Sequence, residues 1–266
     1  MTHEYVTVQG GARLAYRFDG PADAPVVVLS NSLMSTMAMW EPQLPALTRH
    51  FRVLRHDTRG HGASDTTPGP YTIAFLADDV IAMLDALGLG QVHFVGLSMG
   101  GMIGQQLGAV YGDRLRSLAL CDTTSEMPDT SVWKQRLEVA RRDGVASLAE
   151  GTIERWFTPA FIAREPATVA RIRAGIEATG LEGYLACSCA VRDVAQRATL
   201  HLITTPTLII AGESDPACTV AQAEVIHREI PGSRLEVIRD AAHLSNIEQP
   251  ERFNSLLTDF LLAIKS

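Results

Sequence analysis

One stretch constrains this chain more than any other: Val92-His93-Phe94-Val95-Gly96-Leu97-Ser98-Met99-Gly100-Gly101. An apolar, β-branched run gives way at once to residues with helical periodicity. A strand that turns directly into a helix needs a sharp bend, and Gly96-Leu97-Ser98-Met99-Gly100 occupies it. The G-x-S-x-G pattern suits that bend because its glycines remove side chains that would collide, leaving the serine hydroxyl exposed at the tip. Beyond it, Gly100, Gly104 and Gly108 share one helical face, with Gly101 beside them. Each costs a helix roughly 1 kcal/mol relative to alanine, which makes sense where the helix must lie close to a sheet. A flexible glycine-serine loop is the competing reading, but the flanks are apolar and periodic on both sides.

The rest of the chain fits around this unit. Residues 5–8 and 12–18 alternate about Gly10-Gly11 as an antiparallel hairpin. Continuous apolar runs at 25–30, 51–56, 92–97, 115–121 and 206–211 predict strands buried on both faces, and 234–238 is the last strand. Helical patterns lie near 39–47, 73–87, 220–229 and 253–264. Strands alternating with helices require a mainly parallel sheet covered on both sides. That alternation stops between 125 and 197, where only helical patterns occur: 132–142, 146–157, 166–178 and 181–197. The expectation is an α/β core of residues 1–124 and 198–266, with eight strands and an inserted helical cap of residues 125–197.

Charge separates these parts. The chain carries a net −7, which disfavours nucleic acid or an acidic membrane as partner. The cap is neutral, with Lys134 and nine arginines against ten acids, so the core holds the whole excess. An arginine-rich lid over an acidic body offers a small anion a less repulsive way in. No run of eighteen apolar residues occurs, and the start lacks a basic, then apolar, leader. Cys121, Cys187, Cys189 and Cys218 show no metal-ligand spacing and read as reduced thiols. The expected compartment is the cytoplasm. Homo-oligomer formation stays open.

In an open α/β sheet, ligands bind beyond the carboxyl ends of the strands. Ser98, Asp215 and His243 fall at such ends, 117 and then 28 residues apart. Serine, acid and histidine in that order suit acyl transfer: Ser98 as nucleophile, His243 as general base, Asp215 orienting the imidazole. Asp122, after the strand that follows the nucleophile helix, competes for the acid role. Asp215 is favoured because Gly212-Glu213-Ser214-Asp215-Pro216 turns outward after the penultimate strand. The oxyanion requires two N–H donors. Met99, at a helix N-terminus, is one; Leu33 is the choice for the other, with Ser32 as runner-up. His56 and His61 flank the polar loop 57–65 and are read as internally hydrogen-bonded.

The elbow, the loop Asp57-Thr58-Arg59-Gly60-His61-Gly62 and the triad order resemble the α/β-hydrolase superfamily. More narrowly, Leu29-Ser30-Asn31-Ser32-Leu33, Met39-Trp40, Arg155-Trp156-Phe157-Thr158-Pro159 and His243-Leu244-Ser245-Asn246-Ile247-Glu248-Gln249-Pro250 resemble the bacterial 3-oxoadipate enol-lactonases. Most superfamily members carry His-Gly where Asn31-Ser32 stands. The segment Asp215-Pro216-Ala217-Cys218-Thr219 departs from that family's usual threonine and prolines. The resemblance implies an α/β-hydrolase fold and hydrolysis of a small anionic lactone in aromatic-acid degradation, with no metal and no organic cofactor. A substrate carboxylate then calls for cap cations or polar donors: Trp133, Arg136, Arg155 and Arg192 are the candidates, and Ser32 is a further substrate-binding candidate. A cofactor-free esterase or perhydrolase, and a hydrolase-fold binding protein, are the rival readings. A dehalogenase is disfavoured, since its nucleophile would be a carboxylate.

Overall fold

The computed structural model describes residues 3–127 and 129–264. Its strands are β1 Glu4–Thr7, β2 Arg13–Asp19, β3 Val26–Ser30, β4 Arg52–His56, β5 Val92–Leu97, β6 Leu115–Cys121, β7 Thr207–Gly212 and β8 Arg234–Ile238. They form one eight-stranded sheet in the order β1-β2-β4-β3-β5-β6-β7-β8. β2 is antiparallel to β1 and β4, and the other pairings are parallel. Composition tracks position. β5 and β7 are buried at every residue, as their unbroken apolar runs require. The edge strands β1 and β8 turn Glu4 and Arg234 outward.

The core helices are α1 Leu44–Leu47, α2 Ile73–Ala86 and α3 Met99–Val110. Between β6 and β7 come α4 Ser131–Asp143, α5 Ala149–Trp156, α6 Pro159–Arg164, α7 Pro166–Glu177 and α8 Leu181–Arg192. After β7 follow α9 Val220–Glu229, α10 Ser245–Glu248 and α11 Pro250–Ala263. The helix expected near 39–47 is instead a 3-10 segment, Met37–Gln43, running into α1. Pro42 lacks the N–H that an α-helix interior needs. The helix expected to reach 197 stops at Arg192. Glu126 and Ala195 then form an antiparallel bridge, and Gln196 N–H donates to Ser125 O at 2.7 Å. The chain thus leaves the helical insertion beside the point where it began it. α6 was not foreseen, although Thr158-Pro159 marks its start: the threonine hydroxyl caps Phe161 N–H and proline takes the first turn.

Register decides where the site forms. Ser30 lies opposite Gly96, Leu97 opposite Cys121, and Gly212 opposite Ile238. The loops after β3, β5, β6, β7 and β8 therefore open at one end of the sheet, bringing Leu33, Ser98, Asp122, Asp215 and His243 together from across the sequence.

Candidate active site

The bend at Ser98 is strained. Its φ and ψ are 57° and −114°, a region that costs a non-glycine residue about 1–3 kcal/mol. Neighbours hold it there. Ser98 N–H donates to Cys121 O at 2.9 Å, and the Thr123 hydroxyl donates to Ser98 O at 2.7 Å. A Cβ on Gly96 would stand 2.0 Å from Gly100 O, and one on Gly100 would stand 2.2 Å from Ser30 O. Further along α3, Gly104 and Gly108 face the side chains of Leu118, Leu120, Phe94 and Ile203. The glycine face thus lets the helix settle onto β5 and β6, as the sequence spacing predicts.

His243 Nδ1 and Asp215 Oδ2 lie 2.8 Å apart, both buried. The other Asp215 oxygen accepts the N–H groups of Ala217 at 2.7 Å and Cys218 at 3.0 Å. Burial disfavours the charged imidazolium, but the charge and hydrogen bond of Asp215, helped by Asp122, outweigh it and raise the His243 pKa. Asp122 does not take the acid position. Its Oδ1 accepts Gly212 N–H at 2.7 Å and its Oδ2 pairs with the Ser245 hydroxyl at 2.6 Å. Full burial, then the nearby charge of Asp215, pushes its carboxyl well above the ordinary range. Among the described residues no hydrogen bond joins Ser98 to His243. Both line one cavity, and such contacts often tighten only when substrate arrives.

The loop after β3 is pinned from several sides. Asn31 donates to His56 O at 2.8 Å, accepts Trp40 Nε1–H at 3.0 Å, and its carbonyl takes Gly100 N–H at 3.0 Å. This ties the loop to the nucleophile helix. Ser32 N–H points to Met39 Sδ at 3.4 Å, and Met34 N–H donates to His61 Nε2 at 3.0 Å. Among the described residues Leu33 N–H has no partner, which favours Leu33 over Ser32 as a free donor. Met99 opens α3, where the first N–H groups have no intrahelical acceptor.

Above these groups lies a cavity of about 520 Å³. Ser32, Leu33, Ser98 and His243 line it, together with Trp133, Arg136, Thr152, Arg155 and Trp156 from α4 and α5. Thr152 Oγ1 accepts Nη2 of Arg136 at 3.2 Å and Nη2 of Arg155 at 3.4 Å, while donating to Leu148 O at 2.8 Å. Arg136 Nε is buried without a partner. Five other arginines among the described residues of this segment pair with acids: Arg142 with Asp143, Arg171 with Glu41, Arg173 with Glu150, Arg192 with Asp193 and Arg197 with Glu126. Among the described residues neither Arg136 nor Arg155 has an acidic partner. Arg192 does not reach the cavity: its guanidinium is held by Asp193 beside it, so it drops out of the pocket candidates. One acid, Asp129, also lines the cavity, with its carboxylate held low by the N–H and hydroxyl of Ser131.

Sequence reasoning missed several contributors. Trp156 stacks on His243 with ring centroids 6.5 Å apart. Glu248 accepts Ala242 N–H at 2.9 Å and Thr158 N–H at 3.1 Å, and also bonds the Thr158 hydroxyl. It thereby ties the histidine loop to the cap. Both residues sit inside the segments that carried the family resemblance, which was the available signal. Asp215, Cys218 and His243 place donor atoms within 4.8 Å of one another. Two of those donors share a hydrogen bond, and burial pushes the Cys218 thiol pKa up.

With this geometry in hand, the comparisons are decisive about class. Residues 25–250 match the model of the alpha/beta hydrolase fold, and the chain belongs to that family. The 3-oxoadipate enol-lactonase 2 of Acinetobacter baylyi is 39% identical over 241 residues, spanning 91% of this chain and 90% of the relative. The crystal structure of the enol-lactonase from Burkholderia xenovorans is 42% identical, with a TM-score of 0.95 over 97% of this chain and 100% of that one. A putative carbamate hydrolase, RutD, from Stutzerimonas stutzeri is 30% identical over 248 residues, spanning 90% and 92% of the two chains. The chain is a hydrolase of ester or lactone bonds. No helix among the described residues is long and apolar enough to cross a membrane.

Proposed function

We propose that the chain opens 3-oxoadipate enol-lactone to 3-oxoadipate through an acyl-enzyme on Ser98. The observation that carries this reading is the pair Arg136 and Arg155, which lack acidic partners and converge on Thr152 in the cavity that contains Ser98 and His243. Two uncompensated guanidinium groups suit a substrate that is itself an anion. The enol-lactonase relatives support the same substrate.

In this mechanism His243 Nε2 takes the Ser98 proton as Oγ attacks the lactone carbonyl. The resulting oxyanion is met by the N–H groups of Leu33 and Met99, the latter aided by the N-terminus of α3. Collapse breaks the ring C–O bond and expels an enolate oxygen, a better leaving group than an alkoxide. The imidazolium of His243 gives its proton to that oxygen, which leaves the imidazole neutral again, and the enol becomes a ketone. Water, deprotonated by His243, attacks the acyl carbon; collapse releases the second carboxylate, and His243 returns the proton to Ser98 Oγ. Asp215 keeps the imidazole in the tautomer whose Nε2 can accept. Helices 125–197 act as the cap over this site, a single unit with the core.

The test compares wild type with Ser98→Ala on the enol-lactone. Wild type should turn over repeatedly, and the variant should lose roughly 10⁴-fold or more in kcat. Near-normal turnover by Ser98→Ala refutes the acyl-enzyme. A second reading, hydrolysis of a small neutral ester or carbamate, draws on the RutD relatives. It prevails where kcat/KM on such substrates exceeds that on the anionic lactone.

A further inference from the structure

His61 reaches beyond its own loop. Its Nε2 accepts Met34 N–H at 3.0 Å across 27 residues, with both residues buried. Met34 directly follows Leu33 and has a left-handed φ of 62°, which a non-glycine residue keeps only when its surroundings impose it. The supports on either side are known. Ser32 N–H is held by Met39 Sδ, and Met37 N–H donates to Asp57 Oδ1 at 2.7 Å. Within this run the Leu33 N–H stands between two anchored neighbours. His61 is the anchor on its carboxyl side.

The histidine is itself held rigidly. His61 N–H donates to Thr58 O at 2.9 Å, and Ser64 N–H donates to His61 O at 3.0 Å. On the far side of the ring, Nδ1 lies 3.9 Å from Cys187 Sγ in α8, near the Arg59 carbonyl. Burial lowers the His61 pKa to about 4, so at neutral pH the ring is uncharged and Nε2 keeps its lone pair. With Nε2 accepting, the proton sits on Nδ1.

We propose that His61 is a positioning residue for acyl transfer: by gripping Met34 N–H it aims the adjacent Leu33 N–H at the developing oxyanion. This rests on the acyl-enzyme reading above. The rival role, satisfying one buried N–H for stability alone, predicts different kinetics. A misaimed donor weakens binding of the tetrahedral state and leaves ground-state binding alone.

Three variants separate the roles. His61→Leu offers no acceptor; His61→Gln places its amide near the Nε2 position; His61→Asn places it near Nδ1, short of Met34. Steady-state kinetics use the enol-lactone and a nitrophenyl ester. Inhibition is measured with an alkyl boronic acid, whose serine adduct is a tetrahedral anion, and with 3-oxoadipate, a product whose carboxylate carbons are trigonal. Expected for His61→Leu and His61→Asn is a kcat loss on the order of 10²-fold, with KM and product inhibition within about threefold of wild type. Boronate inhibition should weaken in step with kcat, and His61→Gln should recover most of both.

The inference is overturned if His61→Asn keeps kcat within about twofold of wild type, or if boronate and product inhibition weaken together. Where His61→Leu does not fold, the contrast of Gln with Asn decides alone, and equal kcat for the two overturns the idea. Ser98→Ala is run alongside. If it is inactive while His61→Asn is normal, only the positioning role fails; if it is active, the acyl-enzyme reading fails first.

Discussion

Replacing Arg136 with alanine tests how the cavity recognises its substrate. The guanidinium touches Thr152 Oγ1 at 3.2 Å and Met34 Sδ at 3.6 Å, lies 5.5 Å from the Trp133 ring centre, and leaves Nε without a partner. A hydrogen bond to a charged group contributes about 1.5–3 kcal/mol. At about 1.4 kcal/mol per factor of ten, that corresponds to roughly 10- to 150-fold in kcat/KM. Arg155 reaches the same Thr152 oxygen and retains part of the attraction, so the single variant should sit near the lower end, about tenfold. Removing both arginines should depart from additivity, because the two share one partner. The assay measures kcat/KM for the anionic lactone beside a neutral nitrophenyl ester at two salt concentrations. The lactone alone should suffer, and less so at high salt. Equal losses on both substrates, or no loss for either Arg136→Ala or Arg155→Ala, refute the anion-binding argument.

Two further substitutions probe the scaffold beneath the site. Asp122→Asn keeps an acceptor for Gly212 N–H and should leave kcat close to wild type, whereas Asp122→Ala strands that N–H and the Ser245 hydroxyl and should cost about 2–3 kcal/mol in urea denaturation. Because burial raises the folded-state pKa of Asp122, its contribution to stability is fully present below the ordinary carboxylate range and fades as pH rises toward the folded value; Asn should flatten that dependence, and an unchanged pH profile of stability would count against it. Gly100→Ala would drive a Cβ to 2.2 Å from the Ser30 carbonyl and should cost about 3 kcal/mol, while Gly108→Ala, 3.1 Å from yielding side chains of Ile203 and Leu118, should cost under about 1 kcal/mol by thermal unfolding. Equal melting temperatures for the two would argue that α3 is not pressed onto the sheet.

Local rules were enough for much of this protein. The elbow at Ser98 was readable because strand, bend and helix are continuous in sequence, and the bend's glycines have a steric cause that needs no distant partner. Met99 follows from the same bend. The strands and their mainly parallel arrangement follow from apolar runs alternating with helical periods, and the helical insertion from the absence of strand patterns between 125 and 197. The order of Ser98, Asp215 and His243 was visible too, because each follows a strand and strand ends are where an α/β sheet gathers chemistry.

Tertiary structure decided what depends on which side chains meet. Asp122 and Asp215 look alike in sequence, each an acid just past a buried strand; only packing gives one to Gly212 N–H and Ser245 and the other to His243. Arg136, Arg155 and Arg192 are equally plausible cap cations until Arg192 is seen bound to its own neighbour. The grip of His61 on Met34, the stacking of Trp156 on His243 and the bridge of Glu248 to Thr158 join residues 27, 87 and 90 positions apart. Periodicity records which face of an element is apolar, and a bend records its own sterics. Neither records the partner that a polar side chain finds once loops from different strands close over one another, and that pairing sets the charge and aim of the groups around Ser98.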